Sequence, residues 1–434
     1  MATSKESSTR AGFWGFLQHI HPAVIYPSTL SPFTTLGLGL IALYLFVLLL
    51  ISGVLLMVYY VPDTASAYGS IQDLRSVVPF GALMRNVHRW AGHAMVAVVG
   101  LHLLRTMVTG AYKGRSRRKI WTAGVWLLLL TLAFAFTGYL LPWDQLSYWA
   151  VSIGGHLAGN VPGVGDFLRQ AVFGGSDIGG ATLVRFYALH VGILPLITSA
   201  LLVVHLFRLR RAGGLARPQG EVNKVNKVDK ERRLAAWPHL YEREIALLGL
   251  VTLVVLVAGL LMDAPLGPEP DLANPEDPSK APWYFLFLQE LVSYSALLGG
   301  VILPLCSLVF LYFVPSIDRE VKGSGQWLAP KPARLVFTVG FLVGAAIVVA
   351  ALFWHESRSG SDQTWLDPAT ALALGAVLAA ISSFALARRA EAAHRAHLTL
   401  VVLCGLGTSA LLTLTIIGWF RGPSWSLVLP WVSG

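Results

Sequence analysis

Long, uniformly apolar runs separated by short polar stretches recur along the whole chain. A helix of about 20 apolar residues crosses the hydrocarbon core of a bilayer. The runs predict spans at 36–60, 80–110, 121–141, 184–209, 243–262, 297–315, 335–354, 368–387 and 398–420. One stretch breaks the rhythm: residues 211–242 carry the polar, charged run Glu221-Val222-Asn223-Lys224-Val225-Asn226-Lys227. The expected organisation is a four-helix domain over 1–210, a linker over 211–242, and a C-terminal membrane domain over 243–434 with about five further helices.

The polar exceptions inside the spans carry the chemistry. His88 and His102 stand 14 residues apart on the second span, and His190 and His205 stand 15 apart on the fourth. Fourteen helical steps return to within ~40° of the starting face and rise ~21 Å, so one face carries an imidazole towards each side of the membrane. A single intramembrane histidine is usually a packing residue. Two pairs at matching depth are not, because ionisable groups in lipid are costly. Two neighbouring spans built in this way can clamp two metal centres at different depths. Haem iron is the metal that suits: two neutral imidazoles fill both axial positions and favour electron transfer.

Glycines repeat the same step. Gly39 and Gly53 are 14 apart on the first span, and Gly124 and Gly138 are 14 apart on the third. Such positions let a bulky group approach a backbone, and a flat macrocycle wedged at two depths would require them. Ordinary small-residue packing is the plainer explanation. Arg85, one turn before His88, and Arg105, three after His102, are candidate partners for haem propionates; Arg105 could equally snorkel to the surface. His93 points ~140° away from His88 and is read as a non-ligand.

Composition agrees with a membrane protein. The chain is 55% hydrophobic and 13% charged, with mean hydropathy +0.62, against about 25% charged in soluble domains. Its net charge of +10 follows from topology rather than nucleic-acid binding. With the N-terminus cytoplasmic, 24 of the 33 Lys and Arg fall on the cytoplasmic side, as basic loops do. Cys306 and Cys404 lie in separate apolar runs and read as buried structural thiols. No Cys-x-x-Cys-His haem-attachment site or iron–sulfur spacing occurs, so a covalently bound haem or a cluster belongs to a partner.

The four histidines, the four glycines, Gly138-Tyr139-Leu140-Leu141-Pro142-Trp143-Asp144-Gln145-Leu146-Ser147-Tyr148-Trp149-Ala150 and Arg185-Phe186-Tyr187-Ala188-Leu189-His190 together resemble cytochrome b of the quinol–cytochrome c and plastoquinol–plastocyanin oxidoreductases. The resemblance covers roughly 12–320. The 15-residue histidine step is similar to the plastid and cyanobacterial form, in which a four-helix cytochrome and a small three-helix subunit are separate chains; here they look fused across 211–242. The resemblance implies an all-α integral membrane protein with a four-helix dihaem bundle. One b-type haem would be held by His88 and His190 near the positive side, the other by His102 and His205 near the cytoplasmic side. The family attaches an extra haem through a cysteine near the first span in its plastid type; residues 33–45 contain none, and that haem is not expected.

The resemblance also implies quinol oxidation at the positive side, a second quinone site at the cytoplasmic side, and coupled proton translocation. A Rieske iron–sulfur protein and a c-type cytochrome would be partners in a homodimeric complex, in lipid of a bacterial-type inner membrane. The family's quinol site uses the loop after the third span, here around Tyr148 and Trp149, and a Pro-Glu-Trp-Tyr motif. The second reads Ala281-Pro282-Trp283-Tyr284, so proline replaces the glutamate that accepts a quinol proton. Glu290, two helical turns past Trp283, is the expected replacement. Arg208 and Arg210, just past His205, are candidates for the cytoplasmic quinone site. A dihaem membrane anchor of a dehydrogenase and a polytopic transporter are the alternative readings; the Leu-Pro-Trp-Asp-Gln and Pro-Trp-Tyr-Phe segments speak against the first, and haem content decides the second.

Overall fold

The computed structural model describes residues 24–25, 30–212, 234–319, 324–329, 332–357, 370–371, 373–375, 377 and 392–428. Eight helices among them are long and apolar enough to cross a membrane. These are α1 (Leu38–Met57), α3 (Gly81–Val108), α4 (Arg115–Leu140), α7 (Gly180–Arg211), α8 (His239–Leu261), α10 (Leu298–Ile317), α11 (Pro332–Ser357) and α12 (Ala392–Trp419). They correspond to eight of the nine expected spans. The ninth, 368–387, lies largely outside the described residues; the few seen there are helical. Shorter helices fill the connections: α2 (Ala67–Ser76), α5 (Gln145–Gly159), α6 (Gly165–Phe173) and α9 (Trp283–Tyr294). A two-residue antiparallel ladder, Val24–Ile25 with Leu234–Ala235, ties the chain ahead of α1 to the segment before α8.

Helices α1, α3, α4 and α7 close a four-helix bundle in which α1 packs on α3, α3 on α4, and α4 on α7. The two histidine helices, α3 and α7, therefore face each other across the middle. This corrects the expectation of neighbouring spans: each histidine helix lies beside a glycine helix instead. Inside α7 the backbone widens to a π-turn at Leu189–Ile193, where Leu194 N–H reaches back five residues to the Leu189 carbonyl. Pro195 follows and has no N–H to give to Val191, so the regular ladder could not run through this point. A π-turn absorbs one extra residue. That absorption is why a 15-residue step on α7 does the work of the 14-residue step on α3.

The C-terminal half packs directly on this bundle, with α8 against α3 and α1, α10 against α4, and α12 against α3 and α9. Helices α11 and α12 meet through glycines: a Cβ at Gly340 or Gly405 would strike the backbone of the other helix. Cys404 is buried in the cluster around Met107 and Trp121, whereas Cys306 lies on an exposed face of α10 and is not the buried thiol expected.

At the end of the bundle where α3 finishes, one buried acid joins the halves. Asp318 accepts hydrogen bonds from Tyr112 at 2.7 Å and His397 Nδ1 at 2.9 Å, and pairs with Lys113 at 3.1 Å. Burial alone would raise its pKa, but the His397 hydrogen bond and the Lys113 charge hold it below the ordinary aspartate range. A depressed carboxylate stabilises the fold above its unfolded pKa of ~4, and that contribution is lost as pH falls through the lower folded value. Removing one partner of a buried pair costs about 3–5 kcal/mol. Asp318→Asn should therefore lower the thermal unfolding temperature of the detergent-solubilised protein at pH 7. The gap from wild type should shrink below pH 4; an unchanged melting curve would show the cluster to be unimportant.

Candidate functional site

Each of the four glycines faces one of the four histidines. A Cβ built at Gly53 would lie 3.2 Å from His88 Cε1, at Gly39 3.4 Å from His102 Cε1, at Gly124 3.5 Å from His205 Cε1, and at Gly138 2.5 Å from His190 Cε1. Room for a macrocycle is thus not their whole role. They let an imidazole edge lie against the neighbouring backbone, α1 serving α3 and α4 serving α7.

The rings of His88 and His190 meet across the bundle with centroids 6.3 Å apart. A metal held between two imidazoles by nitrogens at ~2 Å would put their ring centres ~6 Å apart. Hydroxyls set the orientation of both rings. Ser52 Oγ donates to the Leu48 carbonyl at 2.8 Å and Thr137 Oγ1 to that of Ala133 at 2.8 Å, which leaves each oxygen as an acceptor. His88 Nδ1, 2.9 Å from Ser52, and His190 Nδ1, 3.1 Å from Thr137, then carry the protons. In that tautomer Nε2 presents a bare lone pair, the ligand form. At the other depth no hydroxyl fills this role. His102 Nδ1 and His205 Nδ1 are buried without a hydrogen-bond partner, and the latter approaches the Ile120 carbonyl without reaching hydrogen-bond geometry. An unengaged Nδ1 says nothing of a metal at Nε2, so at this depth it is the glycine contacts that match the other site.

A largely apolar cavity between α1, α3, α4 and α7 opens on His88 and His190, Gly53 and Gly138. The arginines behave differently from expectation. Arg85 lines the cavity, but its two terminal nitrogens donate to the carbonyls of Ala264 and Pro265 at 2.5 and 2.7 Å. It fastens the segment after α8. Arg89, one turn on, sits with its charge 5.8 Å from the Tyr139 ring, and its Nε is buried and unpartnered. Arg105 is 2% exposed and donates to the Thr34 carbonyl at 2.6 Å, so it does not snorkel to the surface. Arg208 reaches the Lys119 carbonyl, and Arg210 lies beside it in the last turn of α7.

The expected quinol-side residues separate into two groups. Tyr284 lines the cavity, and Trp283 Nε1 donates to His93 Nδ1 at 3.0 Å. Tyr148 packs against Trp143 and Trp149 on α5, in a more exposed position away from the cavity lining; partial burial, with Asp177 nearby, raises its pKa. Glu290 is elsewhere. It is completely buried, receives Arg421 Nη2 at 2.6 Å, Tyr294 Oη at 2.5 Å and Trp425 Nε1 at 3.0 Å, and Arg421 also binds Glu356. A carboxylate with its lone pairs taken by a guanidinium and two further donors is an anchor for α9, and this placement corrects the proton-accepting role expected for it.

Sequence reasoning missed Ser52 and Thr137, and named His93 only as a non-ligand. The first two had a signal, since a hydroxyl residue directly precedes Gly53 and Gly138 but not Gly39 or Gly124. His93 had none, because its contacts come from a helix 190 residues away.

A profile of the cytochrome b/b6/petB family matches residues 23–213. Cytochrome b6 of Heliobacterium mobile is 44% identical over 176 residues, which is 41% of this chain and 82% of that protein. Cytochrome b6 of Chlamydomonas reinhardtii is 40% identical over 176 residues, 41% of this chain and 81% of the relative. The chain belongs to the cytochrome b/b6 family, as an all-α, multi-pass integral membrane protein. A solved structure titled as a hyperthermophilic respiratory Complex III aligns over 96% of this chain and 98% of its own, with TM-score 0.67 and 24% identity, so the shared fold extends through the C-terminal half.

The glycine contacts make a graded prediction. Gly138→Ala must displace the His190 ring, whereas Gly249→Ala on α8, outside the cavity lining, meets nothing within 4 Å. Bound haem per purified chain should fall markedly in the first and stay at the wild-type level in the second. Equal haem content in both would dissociate Gly138 from cofactor binding.

Proposed function

We propose that this chain is the dihaem cytochrome b subunit of a quinol-oxidising electron-transfer complex. His88 and His190 hold the haem nearer the positive side, and His102 and His205 hold the one nearer the cytoplasm. When bound, the two haems supply one-electron carriers at two depths, which is what moving charge against the membrane field requires. The chain's residues do the rest. Ser52 and Thr137 fix the imidazole tautomer at the positive side, Gly39, Gly53, Gly124 and Gly138 let the rings seat against the adjacent helices, and the apolar lining excludes water. Arg89 and Arg105 each offer an unpartnered Nε where an acidic cofactor substituent would sit.

Quinol is oxidised at the positive end, beside Trp283 and Tyr284 and the helix carrying Tyr148. Its protons are released there, which couples electron flow to proton translocation. A second quinone site lies at the cytoplasmic end near Arg208 and Arg210. Electrons leave to a Rieske iron–sulfur protein and a c-type cytochrome, and the complex is a homodimer in a bacterial-type inner membrane with the chain's N-terminus in the cytoplasm. The excess of basic loops on one side supports that orientation, and the charged stretch at 211–242 supports a two-domain division on either side of it.

The observation that carries the reading is the 6.3 Å separation of two rings whose Nδ1 atoms are already engaged. A dithionite-reduced difference spectrum and haem assay of the purified chain test it. Wild type should hold two b-type haems, His190→Leu and His205→Leu one each, with separable spectral losses. A colourless wild-type protein, or a full haem complement in both variants, would overturn it.

A further inference from the structure

With glutamate absent at position 282 and Glu290 locked to Arg421, the proposed quinol site needs another proton acceptor. Among the described residues the cavity lining holds no carboxylate; its titratable side chains are tyrosines, Arg85, Arg89 and three histidines. His88 and His190 face their glycines, which leaves His93. Arg85, Arg89 and His93 follow at four-residue intervals on α3 and so share one helix face, turned towards α9. There His93 lies 5.4 Å from the Tyr284 ring and within hydrogen-bond reach of Trp283. The indole is a donor only, so His93 Nδ1 is an acceptor lone pair and Nε2 carries the proton. Trp283 is 37% exposed and free on its outer face. A quinol hydroxyl is the same kind of donor as the indole N–H and can take its place.

We propose that His93 accepts the first proton of the quinol at Nδ1, in the role the family gives to a glutamate on α9. The inference rests on the quinol-oxidising reading above. One quinol O–H bond breaks, the proton forms an N–H bond at Nδ1, and the oxygen keeps the electron pair. The products are an imidazolium and a quinol monoanion, with no change in electron count. Oxidation of the monoanion would need the one-electron acceptors of the proposed complex, and its remaining proton would be lost to water on the same side. The groups facing the imidazole are Arg89 on its own helix, Trp90 alongside, and Trp283 and Tyr284 from α9. The proton-accepting group thus belongs to the haem-bearing helix, although the aromatic pair beside it belongs to the C-terminal half.

The test uses the assembled complex with a soluble quinol and a cytochrome acceptor, with reduced spectra recorded for every variant. His93→Gln keeps an oxygen that can receive the Trp283 N–H but cannot take a proton. It should lower kcat by about 10²-fold, the usual contribution of a positioned base, with a smaller change in KM and the acidic limb of the pH profile abolished. Adding Pro282→Glu to His93→Gln should restore the rate to within a few-fold and restore a limb at lower pH. A wild-type rate and profile in His93→Gln, with haem intact, overturns the role of His93 alone. A wild-type complex that holds haem but oxidises no quinol overturns the functional reading and this inference together. Should His93→Gln lose its haem, Pro282→Glu in the wild-type background decides: a second acceptor should extend activity to lower pH, and an unshifted profile overturns the proposal.

Discussion

The closeness with which an imidazole can approach a neighbouring helix governs this structure. Four times a histidine edge rests where a glycine lacks a side chain, and each contact pairs a histidine helix with the glycine helix beside it. A methyl group at Gly138 would stand 2.5 Å from a ring atom of His190, well inside van der Waals contact. The glycines therefore set the helix separations, and through them the gap across which α3 and α7 face each other. Because the same step of 14 runs along α1, α3 and α4, one choice of spacing fixes both depths at once. On α7 the step is 15, and the π-turn at His190 removes the surplus residue.

A second set of contacts keeps the C-terminal half in register with this bundle, mostly by pairing a side chain of one with the backbone of the other. Arg85 takes the carbonyls of Ala264 and Pro265, Asn86 exchanges hydrogen bonds with Gly259, Asp263 and Ala264, and Trp90 reaches the Met262 carbonyl. Asp144 caps α5 with one carboxylate oxygen and receives Gly267 N–H with the other, while Gln145 binds Asp271 and Asn274. Arg85, Asn86 and Trp90 sit one turn or less from His88, and Asp144 and Gln145 follow Gly138 by six and seven residues. The peptide segment that leads into α9 is thus fixed by the helices that fix the cofactor pocket. Glu290 and Arg421 hold the far end of α9 to the chain beyond α12, so Trp283 and Tyr284 are presented from a helix anchored at both ends.

The spans, the histidines and the glycines were legible because each departs from its surroundings in one dimension of sequence. An apolar run declares its length, and a histidine or repeated glycine within it declares a register. What was not legible depends on partners distant in the chain. Glu290 looked available because nothing near it in sequence is basic; Arg421 lies 131 residues further on. Arg85 looked suited to an anionic cofactor group because the carbonyls that receive it belong to a loop with no sequence signature. The π-turn was hidden for a different reason. Residue spacing alone reported a ~60° rotation between His190 and His205 on an ideal helix, and only the backbone shows that the rotation is removed locally. The diagonal placement of α3 and α7 was likewise a matter of packing, which periodicity does not encode.

The two depths share one glycine–histidine pattern yet are not equivalent sites. His88 and His190 both donate Nδ1–H to hydroxyl oxygens, and those hydroxyls are themselves fixed to carbonyls one turn back. At the other depth neither His102 nor His205 has a hydroxyl partner. A hydrogen bond at Nδ1 orients an imidazole ligand and raises its basicity, so as metal ligands His88 and His190 would be the more rigidly held and the more strongly donating pair. Stronger donation favours the more oxidised state of whatever metal is bound. Two sites of equal construction would offer a bound metal no such difference. The serine and threonine that precede Gly53 and Gly138, and are absent before Gly39 and Gly124, supply that inequality within a bundle whose geometry is otherwise repeated.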